Sequence, residues 1–484
     1  MTSDITMSGG KLIIHLSTEC YPVAKTGGLG DVVGALPKYL QQAGYRVWVV
    51  IPWYNKPFVR EHEFDQVYSG QFNQGSRVLE MEVYREREQL LGFDLYLIKI
   101  PGLLDRDEPY GYSDESEQFI AFQHGFLHWM TEEGIVPDIV HCHDHHTGLI
   151  PFLMQHGTSF RALRHVPTVG TVHNGQYQGW MNWNHAILLP QFDTWKWGLL
   201  DWDGVINPLG ALIKCCTVYT TVSEGYLDEL MREANGLERL FEMERAKAVG
   251  IVNGIDTAIW DPEGDPMLEY HYGIDNVEVG KDHNKAALCN DFRLDPDKPL
   301  LAYIGRFALE KGADILPEII ENIFGMDDVG LNMIILGSGD AGVQSRIADL
   351  ARQHTGKLGA YVGYQEQLSH RIYAAADFLI MPSRVEPCGL NQLYSMRYGT
   401  IPVVRRIGGL KDTVRDIEEP SGYGITFPEA SAADAMMAIH RAMELYRDRS
   451  RMGQLRKTIM NLDFSWDRST AKYVEIYQKI TDKL

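Results

Sequence analysis

The chain has 484 residues, 45% of them hydrophobic and 23% charged, with a formal net charge of −20. That length exceeds one hydrophobic core and predicts two or three domains, while the ordinary composition excludes disordered, collagen-like and low-complexity classes. The acidic balance repels phosphodiester and anionic lipid surfaces and no basic run offsets it, so neither nucleic acid nor membrane is an expected partner.

Residues 1–10 lack a basic leader and a long apolar core, and no apolar run approaches a membrane span, which predicts a soluble cytoplasmic protein. Six scattered cysteines without a C-x-x-C pair read as free thiols. In chain order, residues 11–16, 45–51, 95–100, 139–143, 166–172 and 217–222 are short β-rich runs, with helical patterns between several of them, the first at 32–40. Strands alternating with helices predict a mostly parallel α/β sheet that binds ligands at its strands' carboxyl ends. Residues 261–280 are rich in Pro, Gly, Asp and Glu without periodicity, and a linker is placed at 261–285. Beyond it the pattern repeats, with strands at 300–304, 333–336, 360–362, 378–381 and 401–404. Helices fall near 313–323, up to about 354, at 368–375 and after Gly389. The predicted fold is two Rossmann-like, doubly wound domains, 1–260 and 286–463, facing a central cleft, with a final helix in 464–484.

Three constellations carry chemistry. Lys25-Thr26-Gly27-Gly28-Leu29-Gly30-Asp31 joins the first strand to the first helix. Backbone without Cβ atoms, unpaired first-turn amides and a lysine suit a bulky anion there, although the spacing is neither a dinucleotide fingerprint nor a P-loop. Gly305-Arg306 and Lys311 follow the first strand of the second half and offer a fork and a point charge to a departing diphosphate. Glu386-Pro387-Cys388-Gly389-Leu390-Asn391-Gln392 precedes a helix, so its amides suit phosphate while a carboxylate stands beside them. A carboxylate there suits hydroxyls, and the two together suggest a sugar diphosphate; taken alone, Glu386 reads as a helix cap.

These segments, with His141-Cys142-His143-Asp144, Thr171-Val172-His173-Asn174, Val252-Asn253-Gly254-Ile255-Asp256 and Asp463-Phe464-Ser465-Trp466, run in one order over nearly the whole chain. In that order the chain resembles the bacterial glycogen synthases and plant starch synthases, retaining glucosyltransferases of glycosyltransferase family 5 with the GT-B fold. The resemblance implies glucose transfer with retention from a nucleotide sugar, ADP-glucose, to the non-reducing 4-OH end of an α-1,4-glucan, with no cofactor and no metal. It implies that Lys25, Gly28, Arg306 and Lys311 hold the diphosphate, and that His173, Glu386 and the backbone of Cys388, Gly389 and Leu390 hold the glucose. Asp144 joins His173, Arg306, Lys311 and Glu386 as a catalytic residue, Asp31 and Asn253 line the cleft and acceptor side, and Tyr364 lies near the base. The last helix crosses back to the N-terminal domain, and domain closure excludes water. Two departures stand out: His145 replaces a frequent tryptophan, and Asn391 matches the plant pattern where some bacterial members have threonine.

Blander readings compete at single positions. His141, Cys142, His143, Asp144, His145 and His146 suggest a metal centre, yet the hydrolase pattern needs Asp at 145 and strand alternation sends Asp144 to the face opposite His141 and His143. Cys388 reads as a small packing residue. Trp180, Trp183, Trp195, Trp197 and Trp202 offer flat rings to glucan, although core and interface packing is their commoner use. The alternative functions are a GT-B enzyme using UDP-glucose or another acceptor, and a catalytically silent glucan-binding protein. The second has no need of Lys25, Arg306, Lys311 and Glu386 together.

Overall fold

Each half of the chain folds around a sheet whose central strands are buried on both faces, which is why they read as near-continuous apolar runs. The computed structural model describes residues 10–325 and 329–482. The leader-free reading of the N-terminus therefore rests almost wholly on residues 1–9, which lie outside the described residues.

In the first half the strands are β1 (Leu12–Leu16), β2 (Arg46–Tyr54), β3 (Phe64–Gln74), β4 (Arg77–Glu86), β5 (Asp94–Lys99), β6 (Asp105–Arg106), β7 (Ile139–His143), β8 (Thr168–Val172), β9 (Asp201–Trp202), β10 (Val205–Ile206), β11 (Val218–Thr221) and β12 (Ala248–Gly250). The main sheet runs β12-β11-β8-β7-β1-β2-β5-β4-β3. It is parallel from β12 to β5, and β4 and β3 add an antiparallel ribbon. That ribbon was not read from the sequence, because one face is solvated and its polar residues dilute the β signal.

The second half carries β13 (Leu300–Ile304), β14 (Asn332–Gly337), β15 (Leu358–Val362), β16 (Phe378–Met381), β17 (Ile401–Arg405) and β18 (Ile425–Phe427). These form an all-parallel sheet in the order β15-β14-β13-β16-β17-β18. In both sheets the order reverses beside the first strand, between β1 and β7 and between β13 and β16. Those reversals are the topological switch points where doubly wound sheets bind ligands.

The division of the chain differs from the sequence reading. One unit takes the residues up to Val222, Leu227–Ile251 and the segment from Trp466, and the other takes Ser223–Tyr226 and Val252–Ser465. The break thus falls at 251/252, and the 261–285 segment is not a linker. Leu268, Tyr272 and Val277 are buried in the second unit's core. On the helix Val277–Phe292, Lys281 Nζ lies 2.7–3.2 Å from the carbonyls of Tyr373, Ala374 and Tyr398 and from the Thr400 hydroxyl, and its N–H groups are shared among them. The segment lacks an apolar stripe because it is held largely by polar bonds, so periodicity could not reveal it.

The C-terminal helix, Trp466–Thr481, belongs to the first unit, where Trp466, Tyr473, Ile476, Tyr477 and Ile480 join the core over β1 and β2. The first helix, Gly28–Gln42, contains Pro37, which cannot donate to Val33. The Cys20 thiol donates to that carbonyl instead, at 3.6 Å. No described helix is long and apolar enough to cross a membrane.

Candidate active site

In the first unit, the segments following β1, β7 and β8 bring the predicted residues together at the switch point. Gly28 opens the first helix, and no side chain caps it. Lys25, half exposed, donates to Asp31 Oδ1 at 2.7 Å and lies 5.4 Å from the Tyr21 ring centroid. The loop's amides are not all available for an anion, as the sequence reading had them. Glu19, 3% exposed, accepts from Thr26 N at 2.5 Å and Gly27 N at 3.0 Å through Oε2, and from the Tyr110 hydroxyl at 2.7 Å through Oε1. Glu19 therefore braces the glycine loop, and the amides from Gly28 onward are those left to a ligand. The signal for it was a lone carboxylate just past a buried strand.

Asp144 follows β7 directly, with φ 56° and ψ −172°, a backbone conformation costly for any residue with a Cβ. Its Oδ1 accepts from His173 N at 2.7 Å and Asn174 N at 3.4 Å, so it fixes the turn that carries His173. Burial pushes its carboxyl up to about 7 against the pull of those two amides, and the Glu19 charge adds to the rise. His145 packs its ring against that of His146, with centroids 3.7 Å apart, and against Gly179, where a Cβ would overlap it.

His15, His141 and His143 bring one ring nitrogen each to within 4.8 Å of one another. His15 Nδ1 bonds His143 Nε2 at 3.0 Å, and His143 Nδ1 bonds His173 Nε2 at 2.9 Å. His141 bonds the Tyr477 hydroxyl at 2.7 Å and the Thr171 hydroxyl at 2.6 Å. Five of these three residues' six ring nitrogens are thus committed to hydrogen bonds, an arrangement that suits a bonded buried cluster better than a metal ligand set.

In the second unit the switch-point residues follow β13 and β16. Lys311 Nζ donates to Glu386 Oε1 at 2.6 Å, and the Ser383 hydroxyl donates to Oε2 at 2.8 Å. Glu386 is 5% exposed, and it is not a helix cap, since Leu390 holds that position for the helix Asn391–Arg397. Arg306 is exposed and pairs with Glu310 at 2.7 Å, while the Glu310 carbonyl accepts from the amides of Arg384 and Val385. The two loops are therefore tied to each other as well as to their strands.

The 382–392 turn is shaped by close backbone approach. Gly389 has φ 73°, and a Cβ on Gly409 would overlap the Cys388 backbone. Cys388 is buried, its thiol pushed up to about 12 by burial, so it supplies shape rather than a nucleophile. Asn391 Nδ2 donates to the Ile304 carbonyl at 2.7 Å, which ties this turn to β13. Asn253 is buried with no partner for Oδ1 among the described residues, and Tyr364 is 77% exposed beyond β15. Gly312, with φ 65°, packs so tightly on Pro382 that a Cβ would overlap its carbonyl oxygen. Gly312→Ala should cost about 2–4 kcal/mol, read as a lowered urea midpoint; an unchanged midpoint would mean that Lys311's loop is not clamped by this contact.

Residues 12–243 match the starch synthase catalytic domain and residues 285–458 the glycosyl transferases group 1. A glycogen synthase from Flavobacterium johnsoniae is 47% identical over 97% of this chain and 99% of its own length. The chain belongs to the glycogen synthase and starch synthase family. It is a glucosyltransferase with the GT-B fold. Among other members, a Streptococcus pneumoniae glycogen synthase is 35% identical over 97% of this chain and 100% of its own. The catalytic domain of starch synthase IV from Arabidopsis thaliana, solved bound to ADP and acarbose, matches with a TM-score of 0.88 and 30% identity, covering 98% of this chain and 100% of that one. Cations, amides and buried carboxylates gather at the switch point of each unit.

Proposed function

We propose that this enzyme transfers glucose from ADP-glucose to the non-reducing 4-OH of an α-1,4-glucan, with retention at the anomeric carbon. The observation that carries the reading is the Lys311–Glu386 pair beside Arg306, with the amides at Gly389 and Leu390 within the same switch point. A lysine held by a buried carboxylate is a fixed positive charge, suited to stabilise a leaving diphosphate without reorganising. The ADP bound to the Arabidopsis starch synthase supports adenine as the base, and exposed Tyr364 offers a ring for it to pack on.

In this reading the anomeric C–O bond breaks towards the diphosphate while the acceptor O4 attacks from the same face. The acceptor proton passes to the departing phosphate. Lys25, Arg306 and Lys311 meet the growing negative charge, and His173 and Glu386 orient the sugar. Protein cations take the role a metal would otherwise fill, so transfer should survive EDTA. We place the reaction in the cytoplasm, a setting that suits six buried free thiols.

The test is glucose incorporation into glycogen from ADP-glucose and UDP-glucose in parallel, with EDTA present. Metal-independent incorporation that prefers ADP-glucose supports the whole reading; a UDP preference overturns the donor assignment, and incorporation from neither overturns the activity. Glu386→Gln keeps an acceptor for Lys311 and should leave the melting temperature unchanged while lowering kcat by about 10–100-fold. A wild-type rate in that variant would remove Glu386 from the reacting centre.

A further inference from the structure

Three imidazoles in the first unit form one unbranched chain of hydrogen bonds: His15 Nδ1 to His143 Nε2 at 3.0 Å, and His143 Nδ1 to His173 Nε2 at 2.9 Å. His15 and His143 are 0% exposed and His173 is 8% exposed. Burial lowers all three, His15 and His173 to about 3, so each is neutral at working pH. A neutral imidazole has one N–H and one lone pair. Unlike the hydroxyls of Thr171 and Tyr477 around His141, which rotate to suit either partner, an imidazole in such a chain transmits direction: the proton on one ring dictates the proton on the next.

Two directions are open. If the protons point from His173 towards His15, the chain ends in an N–H on His15 Nε2, which is buried with no partner among the described residues. If they point from His15 towards His173, what stays unpartnered there is a lone pair. A buried orphan N–H is the rarer defect, so the second direction is favoured. His173 then accepts at Nε2 and carries its proton on Nδ1, the nitrogen left outside the chain.

We infer that His15 and His143 are positioning residues that lock His173 in the Nδ1–H tautomer, so that it meets the donor sugar as a hydrogen-bond donor to a hydroxyl oxygen. The sugar contact rests on the function proposed above; the tautomer does not. The bond is prepaid in structure, since free histidine favours the Nε2–H form and would have to shift its proton first. The turn held by Asp144 fixes the backbone of the same residue, so position and protonation are set from two sides.

Long-range proton–nitrogen correlation on the histidine-labelled wild-type enzyme reads the tautomer without any substitution. His173 should give the Nδ1–H signature, and an Nε2–H signature would overturn the inference. His15→Asp sets an acceptor opposite His143 Nε2, whereas His15→Asn keeps a side-chain N–H there. The Asp variant turns the His143 proton to Nε2 and should shift His173 towards Nε2–H and lower kcat about tenfold, with the KM for glycogen unchanged and with the Asn variant keeping the wild-type tautomer and kcat. An Asp variant with the wild-type tautomer and kcat would overturn the proposal, as would an Asn variant that loses both. His173→Ala, measured alongside, separates the two readings. If it transfers at the wild-type rate, the sugar contact is wrong while the tautomer lock stands or falls on the spectrum.

Discussion

Lys311→Ala should lower kcat for glucose transfer by about 10²–10³-fold, the loss typical when one preorganised donor to a developing oxyanion is removed. The KM for glycogen should stay within about twofold, because the charge that Lys311 meets exists in full only as the diphosphate departs. Two effects add in this variant. The leaving group loses a cation, and the Glu386 carboxylate, 5% exposed and built to face an ammonium, keeps only the Ser383 hydroxyl. The double variant Lys311→Ala/Glu386→Gln separates them: it should recover the lost melting temperature without recovering kcat. Parallel losses in kcat and glycogen affinity in the single variant would place Lys311 away from the leaving group.

The second large effect has opposite signs in stability and activity. Asp144 is held near 7 by burial, above the 3.8 of the exposed carboxyl. A folded-state value above the unfolded one means that the native state binds more protons between the two. The contribution of this group to stability is therefore complete below about 3.8 and declines as pH rises towards 7, then stays flat. Asp144→Asn keeps an oxygen for the His173 and Asn174 amides and has no charge to bury. It should gain on the wild type by about 2–3 kcal/mol between pH 5 and pH 8 in denaturant titrations. At pH 8 it should also lose at least about tenfold in kcat, since a carboxylate kept at a cost to stability is the pattern of a working site. A stability margin that is flat with pH would mean Asp144 is not buried as an acid, and an unchanged rate would make it structural.

Much of the site was legible because its chemistry is local in sequence. Each loop follows a strand that announces itself by an apolar run, so Lys25, Asp144, His173, Arg306 and Glu386 could be placed at carboxyl ends before any coordinate was known. Lys311 and Glu386, 75 positions apart, could be named as site residues, but their 2.6 Å pairing could not be read, since it depends on β13 and β16 being neighbours. Glu19 was missed for the same reason. Nothing in its spacing says that its carboxylate turns back on the Thr26 and Gly27 amides.

The sequence by itself determined the two doubly wound units, the loops that carry chemistry and the family, because strand burial, glycine placement and motif order are written residue by residue. Only the tertiary structure decided where the units divide, which amides of the glycine loop Glu19 already occupies, and that His15, His143 and His173 form one hydrogen-bonded chain. Those are relations between strands side by side in space but distant along the chain, and a one-dimensional pattern holds the strands without holding their order.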